Sequence, residues 1–145
     1  MRLVCVDPAR AGEVWPHVRD LIHAAMQRGD LAAFRPVEAS VLAGDALLWL
    51  AWEPGAGRVV AAAVTQLHET EWRKVCVLVA CGGTSGRLRP SSRAMGVRDW
   101  LPLLEEIEAY ARGAGCSAMR IMGRKGWARV LPSYKAKRII LEKDL

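Results

Sequence analysis

Apolar positions along the chain change their spacing several times, and each change marks an element. MRLVCV at residues 1–6 passes from alternating to apolar and reads as a strand, closed by Asp7 and Pro8. In residues 13–28, Val14, Val18, Leu21, Ile22, Ala25 and Met26 recur at spacings of three and four, which predicts a first helix. Pro16 is expected in its first turn, where a missing N–H costs little, and Gly29 is expected to end it. Asp30 is expected to cap a second helix that runs to Leu42, is made less regular by Pro36 and stops at Gly44. ALLWLAWE at 46–53, a turn at 54–57 and RVVAAAVTQL at 58–67 predict a hairpin, and KVCVLVA at 74–80 the next strand.

In the second half, Leu101, Leu104, Ile107 and Ala111 share one stripe of a helix over residues 100–115. Pro102 falls in its first turn, and Gly113 and Gly115 supply its stop. A strand at 117–123, a short helix at 126–132 and a last strand at 137–142 complete the pattern. The order β-α-α-β-β-β-α-β-α-β predicts an α/β fold of mixed α+β type. It is a single domain, 1–145, with a central mixed sheet and helices on both faces. Residues 46–53, 58–67 and 74–80 are its expected antiparallel members.

A length of 145 residues with 52% hydrophobic content suits one domain with one core. No run reaches the roughly 18 apolar residues that a membrane span needs. The N-terminus lacks the basic-then-apolar signature of a signal peptide, so the expected location is cytoplasmic. Cys5, Cys76, Cys81 and Cys116 form no CxxC pair, so no metal site is expected. Cys5, Cys76 and Cys116 read as small core residues of a reducing compartment, and Cys81 borders a loop.

The net charge of +6 is unevenly spread. Residues 1–71 hold six basic and nine acidic side chains, and residues 72–145 hold fifteen basic and six acidic. Much of that excess lies in the stretch from Cys81 to Arg98, which carries Arg87, Arg89, Arg93 and Arg98 and no acidic residue. Strand, glycine-rich turn and helix in succession is a common way to present free backbone N–H groups to an anion. The six tryptophans, 15, 49, 52, 72, 100 and 127, exceed what a small core demands. Trp49 and Trp52 fall on opposite sides of one strand by period-two alternation. Trp100 and Trp127 are expected to fill the seam between sheet and helix, with stacking on an adenine as the alternative.

This order resembles the GCN5-related N-acetyltransferase family. The resemblance is carried by the strand at 74–80, the glycine loop, the helix at 99–112 and the segment GCSAMRIMGRKGWARVLPSYKAKR at 115–138. It implies an acyl-CoA N-acyltransferase-like domain that takes acetyl-CoA as cofactor and a small amine or a protein amine as substrate. It assigns Gly82, Gly83, Gly86, Arg87, Arg89, Arg93 and Gly96 to the cofactor's phosphates. Gly82, Gly83 and Gly86 come early for that motif, since twelve residues separate Gly86 from Asp99. The family's late-helix tyrosine, a proton donor to the departing thiolate, aligns here with Val130 and Leu131. Tyr134, three residues beyond, is the remaining candidate, with a core or capping role as its alternative. His68 and Glu69, with Glu71 beside them, are candidate bases for the amine, the alternative being a polar turn between strands.

A second class of function stands beside the enzyme. GRKGWARVL and the terminal EKDL look like small acetyltransferase-like proteins of tailed bacteriophages, some of them virion components. That resemblance implies a catalytically inactive structural or interaction protein, virion-associated, partnered by other phage proteins or by itself. Direct nucleic-acid binding is not expected, because no helix-turn-helix or zinc spacing is present and aromatics do not interleave with the arginines. The discriminating feature is the gap between the strands at 74–80 and 117–123. An open slot favours a cofactor, and a slot filled by Trp100, Trp127 or the arginine loop favours the structural role.

Overall fold

The computed structural model describes residues 1–55, 57–83, 97–123 and 126–145, without the side chains of residues 97, 98 and 126. Strand β1 (Arg2–Cys5) leads through a 3-10 turn (Pro8–Arg10) into helix α1 (Ala11–Gly29) and helix α2 (Phe34–Ala43). Strands β2 (Leu47–Glu53), β3 (Arg58–Glu69) and β4 (Lys74–Gly83) follow. A second 3-10 turn (Val97–Trp100) opens helix α3 (Leu101–Gly113), then come strand β5 (Ala118–Ile121) and helix α4 (Gly126–Val130).

The five strands make one sheet in the order β1-β2-β3-β4-β5. The first three pairings are antiparallel, and β4 pairs β5 in parallel. The result is the predicted mixed sheet with helices on both faces, in a single domain. On one face, α1 and α2 bury Trp15, Val18, Ile22, Val37 and Val41 against Leu48, Ala62, Val64 and Ala80. On the other, Leu103, Leu104, Ile107 and Ala111 of α3 pack on Trp49, Ala61, Ala63, Cys76 and Leu78. The alanine run of β3 serves both layers. Ala61 and Ala63 face α3 while Ala62 faces α1, as period-two alternation demands.

A polar clasp holds α1 to α2. Trp15 Nε1 donates to Glu38 Oε2 at 2.7 Å, the Arg19 guanidinium donates to the same carboxylate, and Arg19 also lies over the Phe34 ring at 4.9 Å. These partners, Arg19 first and then the Trp15 N–H, hold the Glu38 carboxyl below its ordinary range.

Several local expectations are corrected. Helix α1 starts at Ala11, so Pro16 lies in its second turn rather than its first. The carbonyl that Pro16 cannot bond belongs to Gly12, and both residues are exposed, which leaves it open to solvent. Asp30 does not cap α2. It ends α1 in the left-handed conformation (φ 49°), its N–H donating to Met26 O at 2.9 Å. Helix α2 begins later, at Phe34, with Pro36 harmlessly in its first turn. Gly44 ends it as expected, at φ 82°. Cys5 is exposed rather than in the core, because β1 is an edge strand. The last strand expected at 137–142 carries neither helix nor strand. A strand needs a hydrogen-bonding neighbour, and none pairs with this segment among the described residues.

Candidate functional site

Strand β4 carries one residue more than its neighbour. Val64 of β3 sits opposite Ala80, but the next residue, Thr65, sits opposite Leu78. Val79 is therefore a bulge, and it reverses the facing of the strand. Cys76 and Leu78 point to the α3 side before it, and Cys81 points there after it. The parallel ladder with β5 runs from Val75 opposite Ala118 to Leu78 opposite Ile121 and stops there. The extra residue and the end of pairing coincide. A bulge adds local twist, and beyond it β4 has no strand partner on its β5 side among the described residues.

The divergence opens a cleft of about 100 Å³. Its floor is Val79, Ala80 and Cys81 of β4. Met122 and Gly123, just after β5, and Trp127 of α4 form one wall. The other is the end of α1 and its connection to α2, with Ala25, Met26, Arg28, Gly29, Leu31 and Ala32. Small side chains keep the walls thin, and glycine keeps them close. A Cβ at Gly82 would lie 2.8 Å from the Leu21 carbonyl oxygen and 3.3 Å from Ala25 Cβ, so only glycine lets α1 sit this near β4. A Cβ at Gly123 would meet the Trp127 ring at 2.9 Å, so the indole packs on bare backbone there.

Arg28 and Cys81 are the ionisable side chains lining the cleft among the described residues. Burial pushes the Cys81 thiol up to about 12, with the nearby Arg28 charge only partly opposing it. Cys81 is therefore a protonated wall atom at neutral pH and not a nucleophile. Among the described residues the cleft offers a strand edge without a partner, an apolar floor and one cation on its rim. Strand addition of an extended, amide-bearing chain is the chemistry that such an edge supports.

The residues singled out from sequence are distributed as follows. Gly82 and Gly83 belong to β4, paired with Ala62 and Ala61, and are not part of a free turn. The strand extends three residues past its expected end because these glycines still find partners on β3. Gly86, Arg87, Arg89, Arg93 and Gly96 lie outside the described residues. His68 and Glu69 lie within β3, opposite Val75 and Lys74, and are exposed. They sit beside the start of β4, about 13 and 17 Å along the strand from the bulge at ~3.3 Å per residue. The cleft lies toward the other end. Glu71 is exposed in the β3–β4 turn.

Tyr134 is half-buried beyond α4 and donates its hydroxyl to Glu108 Oε1 of α3 at 2.6 Å. Its pKa is raised, by burial first and then by the hydrogen bond and charge of Glu108. Trp100 is buried in the α3-side core, filling the seam as expected. Trp127 lines the slot without closing it. Trp49 is buried while Trp52 is more exposed, on the opposite side of β2. Sequence reasoning missed Ala25, Arg28, Leu31, Ala32 and Val79. Small residues at the end of a helix carry no signal of their own. The one readable clue was the switch from hairpin-linked strands to a strand reached through a helix, which marks where β4 loses an antiparallel neighbour.

No protein-family model matches the chain, and no curated protein matches it by sequence. Solved structures do match. An aminoglycoside acetyltransferase from an uncultured soil metagenomic sample, in complex with sisomicin, aligns at a TM-score of 0.65 with 9% identity, over 99% of this chain and 95% of that one. A probable acetyltransferase aligns at 0.64 with 13% identity, over 99% and 100% of the two chains. An acetyltransferase of Trypanosoma brucei aligns at 0.63 with 12% identity, over 99% of each. At such identities the likeness speaks for the fold, and the fold is that of the GCN5-related N-acetyltransferases.

Proposed function

We propose that this chain is an N-acyltransferase that moves an acetyl group from acetyl-CoA to an amine. One observation carries the reading: the Val79 bulge falls where the β4–β5 ladder ends, and the cleft opens there. The residues present fit such a cofactor. The edge of β4 beyond Leu78, without a strand partner among the described residues, suits an extended arm with amide groups. Gly82 and the small residues of α1 leave room beside it. Gly86, Arg87, Arg89, Arg93 and Gly96 are our proposed phosphate contacts, on charge and on their place between β4 and α3.

Bound acetyl-CoA supplies an activated acyl thioester. The chain's own part is to hold and to exclude. Backbone N–H groups of the β4 edge orient the arm and polarise a carbonyl placed against them. The α1–α2 wall, with Leu31 and Ala32, shields the acyl end from water. The amine must lose a proton, and the described cleft wall holds no group suited to take it. We assign that proton to solvent at the mouth of the cleft; His68 and Glu69, toward the other end of β4, could receive it only through intervening water. Tyr134 would donate to a departing thiolate only by leaving Glu108. A non-catalytic particle component draws on no specific feature of this cleft.

Calorimetric titration with acetyl-CoA tests the reading. Saturable one-to-one binding is expected, weakened at least tenfold (about 1.4 kcal/mol) by Ala32→Trp, which fills the mouth from an exposed position. No heat, or binding unaffected by that substitution, overturns it.

A further inference from the structure

Arg28 is the one charged side chain that lines the cleft among the described residues, and it has no counter-ion there. The ion pairs of the described chain engage Arg10, Arg19 and Arg112. Asp30, exposed and two residues further on, forms none with Arg28. No described carboxylate lines the cleft. The floor thiol of Cys81 stays protonated, and the Arg28 charge acts on it, so the guanidinium's field reaches the floor. Arg28 sits in the last turn of α1, where a cation offsets the helix dipole. That leaves its N–H donors open, because it makes no side-chain hydrogen bond among the described residues.

A guanidinium is a planar fork that meets a carboxylate with two parallel hydrogen bonds. Its single charge balances one carboxylate, whereas a phosphate dianion would keep a charge uncompensated. With no carboxylate on the wall, a molecule bearing a second ammonium group meets only like charge. Around Arg28 the wall is apolar and small, with Ala25, Met26, Leu31 and Ala32. Such surroundings strengthen a charge pair, and a cleft of about 100 Å³ admits only a short molecule.

We propose that Arg28 selects the acceptor, and that the acceptor is a small amine that also carries a carboxylate, as an amino acid does. The inference rests on the acyltransfer reading above and names its acceptor class. Held at Arg28 by its carboxylate, the molecule presents its amine to the β4 edge. Transfer to it forms one N–C bond, breaks the thioester C–S bond and moves two protons of the ammonium group, one to the thiolate and one to solvent. Arg28 touches the acceptor away from the reacting atoms, so it acts on KM and leaves kcat alone.

Steady-state kinetics on matched acceptors tests this, with β-alanine, aminoethyl phosphate, ethanolamine and diaminopropane. The expected kcat/KM is highest for β-alanine and lowest for diaminopropane. Arg28→Gln should raise the KM for β-alanine about tenfold or more, with kcat and acetyl-CoA affinity unchanged. Arg28→Glu should invert the order in favour of diaminopropane. The position is exposed, so both variants should keep the wild-type melting temperature to within a few degrees. A preference for aminoethyl phosphate, or for no acceptor, overturns the proposal. So does Arg28→Gln if it affects β-alanine and ethanolamine alike, or weakens acetyl-CoA itself. Saturation-transfer NMR with β-alanine reads the site without turnover. Acetyl-CoA binding without β-alanine binding overturns this proposal alone. Arg28-dependent β-alanine binding without acetyl-CoA binding overturns the acyltransfer reading and supports the carboxylate site.

Discussion

Trp49 donates its indole N–H to Thr65 Oγ1 at 2.9 Å, and both residues are buried. Thr65 is the residue of β3 at which the register with β4 shifts. It is also the one polar residue in the buried core of the described chain. The bond ties β2 to the step that produces the Val79 bulge, and Tyr110 of α3 packs edge-on against the same indole, with ring centres 5.4 Å apart.

Thr65→Val should therefore be costly beyond its size. It leaves a buried N–H with no acceptor, a loss of about 1–3 kcal/mol. Trp49→Phe in the same chain removes the stranded donor, so the double variant should lose less than the two single losses combined. Urea unfolding of the four chains measures the coupling. Additive losses would mean that the bond contributes nothing.

Gly82→Ala tests the close approach of α1 to β4. The new methyl group would meet backbone, the Leu21 carbonyl, and cannot be relieved by a rotamer change. The helix must move, at a cost of about 1–3 kcal/mol. Because the same helix walls the cleft, acetyl-CoA affinity should fall together with the melting temperature. Gly113→Ala, with nothing within 4 Å of its Cβ, is the control and should leave affinity unchanged without lowering the melting temperature.

Tyr134→Phe separates a tether from a proton donor. Loss of the hydrogen bond to Glu108 should cost about 1 kcal/mol. As a tether, the variant keeps its turnover at saturating substrates. As a proton donor, it loses turnover without a matching loss of cofactor affinity. Steady-state kinetics beside a thermal melt distinguishes the two.

Alkaline pH should destabilise the protein through groups held neutral. Burial pushes the Cys76 thiol up to about 11 and the Cys81 thiol up to about 12, from an ordinary 9.0, and the Tyr134 hydroxyl is raised as well. In the unfolded chain these groups ionise first, so the unfolded state binds fewer protons as pH rises. Their contribution is whole below about pH 9 and is lost above it. Unfolding free energy should fall between about pH 9 and 11, less steeply in Cys81→Ala. A flat profile across that window would contradict the burial of these groups.

His68→Ala and Glu69→Gln should leave stability within about 0.5 kcal/mol of wild type, as exposed positions do. Cofactor affinity should be unchanged, since they lie about 13 and 17 Å along the strand from the bulge. A role in carrying the amine's proton would appear as a lower kcat/KM with cofactor affinity unchanged.

Much of the fold was readable because amphipathic spacing reports it directly. The stripes of α1 and α3, the hairpin from β2 to β3 and the glycine stop at Gly44 all stand in the sequence. The bulge does not. KVCVLVACGG is apolar on both faces because β4 lies inside the sheet between two helical layers, so period two leaves no mark and an extra residue leaves no break. Asp30 failed as a cap because a left-handed aspartate ends one helix as readily as aspartate caps another. Residues 137–142 have the composition of a strand, but composition supplies no partner.

Residue spacing by itself determined which segments are helices and strands, that they form a layered α/β domain, and that charge gathers in the second half. Only the tertiary structure decided where the sheet parts. That depends on the register between β3 and β4 and on where β5 stops following β4. Both are relations between distant backbones, set by hydrogen bonding and by how closely α1 packs on Gly82, and a local pattern of side chains does not carry them.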